Sequence, residues 1–283
     1  MAEQSSLEHR GHTVLWIALA AALSPLLVDL AAHEAGNVWA RGAAIFPLLL
    51  AYCAWRDTSP PLPSRDGLVL LVLGVAVAFV GVGGGMPRVG RPGIALSVIG
   101  LARMTGRPSL RCALLALWVI PFPTQIIEAL APGLDAVVAN LSAHVATALG
   151  VAAHVDASHV VALWLVVPAG RLELFPGDGG VALAWTFAGL GWFVAVRSEA
   201  TLTEAARIAL RWMVAALPLQ AAALALACAM ALLGRPGLGR ALLDHFLLVA
   251  TLLGLALALR FHVGSPVRSE IAAGVHSTAS AGA

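Results

Sequence analysis

Seven apolar runs, each close to the length of a membrane-crossing helix, dominate this chain: Thr13 to Ala32, Val38 to Trp55, Gly67 to Met86, Leu110 to Leu130, Gly179 to Val196, Ile208 to Leu233 and Ala241 to Leu259. A hydrocarbon core about 30 Å thick takes roughly 20 apolar residues of helix, and these runs match that length. An eighth, Gly93 to Met104, is shorter, lies between Arg91 and Arg103, and is counted as a span. With 60% hydrophobic and 11% charged residues, the chain has too little polar surface to cover a soluble globule. The expectation is an all-α polytopic membrane bundle of about eight transmembrane helices. Its first partner is the lipid bilayer, and nucleic acid is excluded.

Every basic residue other than histidine is arginine, so arginine positions alone orient the bundle. With the amino terminus inside, cytoplasmic ends hold Arg10, Arg56, Arg65, Arg103, Arg107, Arg111, Arg197, Arg207, Arg211, Arg260 and Arg268, against Arg41, Arg88, Arg91, Arg171, Arg235 and Arg240 outside. This bias implies a multi-pass protein of the cell membrane with both termini cytoplasmic. It also places the working face outside. The first run continues through Pro25 and Asp29 into His33 without a clean small-residue cleavage pattern, so it reads as a retained helix. Residues 1–263 form one transmembrane domain. The Ser-, Gly- and Ala-rich tail, 264–283, has nothing to bury and is expected to be disordered.

Between the spans, Pro132 to Asp178 is the one long stretch that does not read as a crossing helix, and the orientation places it outside. Its first part, Pro132 to Leu149, reads as an amphipathic helix, with Leu134, Val137, Val138, Leu141, Val145 and Leu149 at three- and four-residue spacing. After Gly150 the chain turns β-branched, passes Pro168-Ala-Gly170 and alternates through Arg171-Leu-Glu-Leu-Phe175. That pattern predicts a short β-hairpin capping the bundle. Pro176-Gly-Asp-Gly-Gly180 then opens into the next apolar run, so Asp178 falls at the mouth of a membrane helix, where a charge is costly unless used or paired.

Cys53, Cys112 and Cys228 all lie inside apolar runs and make no metal or redox spacing, so they read as small buried hydrophobes. His144, His154, His159 and Asp156 supply ligand types without a zinc arrangement. No metal and no cofactor is expected. Asp29 and Arg41, near outer helix ends, are expected to form a structural ion pair.

The order of these features resembles the exosortase and archaeosortase family of membrane-embedded cysteine transpeptidases. The resemblance rests on Phe46-Pro-Leu-Leu-Leu-Ala-Tyr-Cys-Ala-Trp-Arg56, which looks like the family's second span, and on Trp118-Val-Ile-Pro-Phe-Pro123, similar to its Pro-x-Pro break. The outer hairpin and the Leu172-Glu-Leu174 strand complete it. What the resemblance implies is protein sorting at the cell envelope, with a membrane-anchored protein carrying a carboxy-terminal sorting segment as partner. The family's Glu-Ala-Cys-Ser-Gly motif falls on Pro176 to Gly180, so Asp178 stands where the nucleophilic cysteine is expected. With Pro218 as anchor, its asparagine and arginine fall on Leu224 and Ala227, and its third polar position falls on His245. A cysteine transpeptidase needs a thiolate and a cationic donor beside it. Aspartate and alanine supply neither.

The candidate catalytic residues are therefore Asp178 and His245, and the candidate substrate-binding residues are Glu173 and Gly180. Each has a structural reading beside the functional one: Asp178 suits an N-cap for a helix beginning at Gly179, His245 a buried pairing with a neighbouring acid or carbonyl, and Glu173 a solvated strand face. Three functions stay open: a divergent homologue with the cysteine chemistry lost or altered, an enzyme using Asp178 on a peptide or lipid-linked substrate, and a small transporter or assembly scaffold. The absence of an internal repeat in the sequence counts against the transporter. Gly177-Asp178 is also similar to the glycine-aspartate of intramembrane aspartyl proteases, which share a proton between two carboxylates. Asp29 and Asp244 are the acids that could supply the second.

Overall fold

The computed structural model describes residues 13–36, 45–57, 64–106, 108–120, 124–156, 163–167, 170–174 and 180–260. Arg41, His159, Asp178 and the tail 264–283 lie outside these residues.

Each apolar run contains α-helix. Helices α1 (Thr13–Ala22) and α2 (Ser24–Gly36) meet at 59°, where Pro25 has no N–H to give the preceding turn. They are followed by α3 (Phe46–Arg56), α4 (Asp66–Gly83), the single turn α5 (Pro87–Gly90) and α6 (Pro92–Thr105). Two short helices, α7 (Leu110–Ala113) and α8 (Ala116–Val119), lead to α9 (Thr124–Ala148). The chain ends in α10 (Val181–Arg197), α11 (Leu202–Leu232) and α12 (Pro236–Arg260). By length and composition α4, α11 and α12 can each cross a membrane, and the bent α1–α2 pair makes a fourth. The protein is an all-α membrane protein. The other runs give shorter helices because the chain is punctuated: α6 stops at Gly106 in the left-handed region (φ 73°), and α8 stops at Ile120, which is extended ahead of Pro121.

That second stop corrects the sequence reading in two ways. Leu110 to Leu130 is not one helix, and the helix after it begins at Thr124 rather than Pro132. Pro132 sits inside α9, where it removes one backbone hydrogen bond without ending the helix. The face of α9 is only partly the one expected, since Val138 is buried and Leu134 and Val145 pack beside it. Val138, Ala139, Ser142, Ala143 and Ala146 are buried, whereas Val137, Leu141 and Leu149 are exposed.

The same inversion runs through the bundle. On α4 the buried residues are Gly67, Gly74, Ala78 and Gly81, while Val69, Val72, Leu73, Phe79 and Val80 face outward. Lipid is as apolar as leucine, so large side chains gain nothing by turning inward, and small ones let backbones approach. A Cβ on Gly67 would collide with the backbone of Met104, one on Gly74 with Ser97, and one on Gly100 with Leu71. Helices α4 and α6 thus touch backbone to backbone along their length.

Two further devices lock this half of the molecule. The Arg91 guanidinium, 6% exposed, donates to Oδ2 of Asp29 from Nη2 at 2.7 Å and from Nε at 3.1 Å, tying α2 to the start of α6. Arg91 is thus a partner of Asp29 that the sequence reading did not foresee. The Phe46 ring fills a notch at Gly189, joining α3 to α10. Beside it Trp118 stacks on Trp185 at 5.4 Å, lies 5.6 Å from Trp192, and the Trp192 indole N–H donates to the Arg111 carbonyl at 2.9 Å.

A second apolar cluster joins α9, α11 and α12 through Val138, Ala143, Leu224, Cys228 and Leu243. Against it lies a three-stranded antiparallel sheet, ordered β1 (His154–Asp156), β2 (Leu163–Val167) and β3 (Gly170–Leu174). In β2–β3, Val167 pairs with Gly170 and Trp164 with Glu173. The strand β1, with Val155 opposite Leu165, adds a third member that the hairpin pattern did not include.

Replacing Gly74 with Val is expected to force α4 and α6 apart, lowering stability in detergent by about 1–3 kcal/mol, as overpacking does, read from thermal unfolding by circular dichroism. Asp29→Ala leaves a buried guanidinium unpaired and should cost up to about 3 kcal/mol. Arg91→Leu in the same chain should restore part of that loss in the same melt.

Candidate functional site at the mouth of helix α10

The helix that opens the site begins at Val181, not Gly179. Gly180 is its N-cap, at φ 91° and ψ 18° with no side-chain capping bond, and its carbonyl accepts from the Ala184 N–H at 2.7 Å. Asp178 is therefore two residues ahead of the cap position, so the N-cap role expected of it falls to Gly180. A left-handed backbone at this point is open to glycine at little cost and strains an L-residue.

Gly180 is buried because α11 lies against it. A Cβ there would sit 3.0 Å from Cγ and 3.1 Å from Cβ of Gln220. Gln220 is itself 8% exposed and follows Pro218, a proline inside α11. A buried primary amide thus lies beside the first turn of α10, whose leading backbone N–H groups have no partner within the helix. Gln220 is the site residue that sequence reasoning passed over. Its signal was a lone amide in the apolar stretch Leu217 to Ala227, two residues beyond a proline.

The other candidate positions are distributed differently. Leu224 and Ala227 are fully buried, one and two turns beyond Gln220, with Ala227 packed on Gly239 of α12. Both are apolar, so neither position offers a hydrogen-bond donor from its side chain. His245 is exposed, off the stripe Gly239, Leu243, Leu247 and Ala250 by which α12 packs, and its Nδ1 lies 2.9 Å from the carbonyl of Ala241 on its own helix. The structure does not bring its ring to Gly180 or Gln220. Glu173 lies in β3, opposite Trp164 in register.

The acids considered as partners for Asp178 are already engaged. Asp29 holds Arg91, and Asp244 holds Arg240 at 3.0 Å. His144 is exposed, with Nδ1 2.7 Å from the Asn140 carbonyl, and among the described residues no three His, Cys, Asp or Glu side chains converge on a metal position. Cys53, Cys112 and Cys228 are free and buried. Cys228 lies under α9 in the second apolar cluster, and Cys53 and Cys112 in the first. The described side chains around Gly180 include no nucleophile.

Gly180→Ala should cost about 1–2 kcal/mol from the left-handed backbone, plus the crowding of Gln220. Gln220→Ala in the same chain should recover the crowding share alone, and a double-mutant cycle on chemical unfolding in micelles measures that coupling.

The geometry is that of a membrane bundle in which a buried amide packs on a left-handed glycine between two helices, with a small sheet nearby, and one family model fits the same stretch of sequence. That model, described as transmembrane exosortase, matches residues 38–218, from the approach to α3 through Pro218 of α11. No curated protein and no solved structure matches the chain. The match covers well over half of the residues, and the chain belongs to the transmembrane exosortase family.

Proposed function

We propose that this protein is a divergent exosortase of the cell membrane that recognises a carboxy-terminal sorting segment and has lost or altered the cysteine transpeptidase chemistry. The observation that carries this reading is the pairing of a family match over 38–218 with the absence of a cysteine anywhere in Pro176 to Gly180. All three thiols of the chain are instead buried in helix packing. A thiolate in that role has to reach the substrate carbonyl, and a thiol enclosed by alanines and leucines does not.

In this reading residues 1–263 form one transmembrane domain of about eight spans with both termini cytoplasmic, and α9 with the sheet forms a cap on the outer face. Helix lengths support the cap. With Gly180 level with Gln220, the twelve residues Ala221 to Leu232 continue α11 by about 18 Å beyond the start of α10. Helix α9 and the sheet pack on that extension. The notch at Gly180 and Gln220, with Asp178 and Glu173 near it in sequence, is the recognition groove. A bound peptide carbonyl or carboxylate would meet the leading N–H groups of α10, at Val181 to Leu183.

The test is a photo-crosslinking residue at position 220 in cells that also express a membrane-anchored protein ending in a short motif, an apolar helix and a basic tail. Capture of that tail, with the target keeping its full mass, is the expected result. Shortening of the target that stops in Asp178→Ala would overturn the loss of chemistry in favour of an aspartate-dependent enzyme. No capture at any outer α11 position would remove the recognition role.

A further inference from the structure

At the end of α10 opposite Gly180, two guanidinium groups meet on one tyrosine. Tyr52 of α3 is half-buried, with its ring 6.1 Å from that of Phe193 on α10. Arg56, one turn further along α3, donates from Nη1 to the Tyr52 hydroxyl at 2.9 Å, and its Cζ lies 5.8 Å from the ring centroid. Arg197, the last residue of α10, reaches the same ring from the other helix, with Cζ 5.9 Å from Tyr52 and 5.6 Å from Phe193. Two like charges gathered on one ring repel each other, so something has to offset them.

The acids at this end of the bundle do not. Among the described residues no carboxylate lies within ion-pairing distance of either guanidinium. Asp57 follows Arg56 directly, but it lies with Leu50, Ala51 and Ala54 on the side of α3 turned toward α1, α6 and α8, and its carboxylate accepts from the Ser109 N–H. Asp66 faces Arg103 at 3.6 Å, Glu204 closes the capping box with Thr201, and Glu199 is engaged in a contact of its own. Helix ends offset part of the charge. Each carries roughly half a negative charge at its carboxyl end, so α3 and α10 together cancel about one of the two positive charges. Helix α12 ends beside them, with the Ala258 and Leu259 carbonyls 3.5 Å from Nη1 of Arg197, but it brings Arg260 of its own. About one positive charge stays over.

Donor capacity stays over as well. A guanidinium has five N–H donors, of which Arg56 spends one on Tyr52 and Arg197 turns only Nη1 to carbonyls. The free N–H groups suit a phosphate, whose oxygens accept two parallel bonds from one guanidinium. The Tyr52 hydroxyl already holds Arg56 in place, which lowers the ordering cost of binding. Trp55, 82% exposed beside Arg56, marks this level as the membrane interface, and there the phosphates on hand are those of lipid head groups.

We propose that Arg56 and Arg197, gathered on Tyr52, bind the phosphate of an anionic phospholipid whose head group carries no ammonium. The site is independent of the sorting role, because the whole length of α10, about 26 Å, separates it from Gly180.

The test is native mass spectrometry of the full chain, stripped of lipid in detergent and titrated with phosphatidylglycerol, phosphatidylcholine or soluble glycerol phosphate. Phosphatidylglycerol should bind about five-fold more tightly than phosphatidylcholine, the effect of one charge near a membrane surface, and glycerol phosphate should not bind over the same range. Arg56→Gln and Arg197→Gln should each bring phosphatidylglycerol down to the level of phosphatidylcholine. Arg56 is exposed, so its variant gives the answer even where Arg197→Gln does not fold. Arg211→Gln, which removes an exposed arginine of α11, should leave the preference intact. No preference in the unaltered chain, an equal loss in Arg211→Gln, an undiminished preference in folded Arg56→Gln, or equally tight binding of glycerol phosphate would each overturn the proposal.

Discussion

In a bilayer, the burial of apolar side chains that drives soluble folding is nearly worthless, because the solvent is itself apolar. What remains is close contact between backbones and the satisfaction of polar groups inside the protein. The interlock of α4 and α6 meets the first condition. Gly67 and Gly74 of one helix face Gly100, Ser97 and Gly93 of the other, where any side chain would strike backbone. Because α6 is thereby fixed at its first turn, Arg91 is positioned to reach Asp29 and hold the bent α1–α2 pair. Phe46 against Gly189 and Trp212 against Gly191 repeat the principle with a ring in place of a backbone, and they bring α10 into the same body.

The second condition explains the shape of the site. Helix α10 has 17 residues and α11 has 31, about 26 Å and 46 Å long. Their shared lower end is fixed by the turn from Arg197 to Leu202, where Thr201 and Glu204 form a capping box. The excess length of α11 must therefore emerge past the first turn of α10. An apolar helix standing alone in that position would expose Ala221, Leu224, Ala225 and Cys228. Helix α9 and the sheet cover them. Gly180 is level with Gln220, the residue of α11 beyond which that excess begins, so their contact follows from unequal helix lengths as much as from the residues that make it.

The membrane class and the family layout were legible in the sequence, because both depend on run length and order, which composition records directly. The inward faces were not. Of the six α9 residues that periodicity pointed to, Leu134, Val138 and Val145 pack inward but Val137, Leu141 and Leu149 face outward, because the usual assignment of large apolar residues to the interior assumes water outside. Pro132 was read as a boundary, yet the boundary lies at Ile120, which is extended in front of Pro121. Gln220 was missed for a different reason. A single amide carries no charge or pattern, and only the approach of Gly180 from 40 residues away gives it meaning. His245 illustrates the reverse: a residue with obvious chemistry whose angular position on α12 turns it away from the packed stripe.

A family layout without a thiol at its expected position separates two things that an active transpeptidase combines. Chemistry needs a nucleophile placed to within a fraction of an ångström, with donors aimed at the developing oxyanion. Recognition needs only a groove of the right depth, with backbone N–H groups and a buried amide to meet a peptide. In the proposed reading Gly180 and Gln220 serve the second requirement, and their closeness depends on a left-handed glycine that most substitutions would strain. Elsewhere along the same contact α10 and α11 meet through glycine and aromatic rings, with Gly191 against Trp212 and Phe187 6.0 Å from Trp212. At Gly180 the contact instead sets a buried amide against a left-handed glycine, and that pairing supports the proposed recognition role, which does not require the missing thiol.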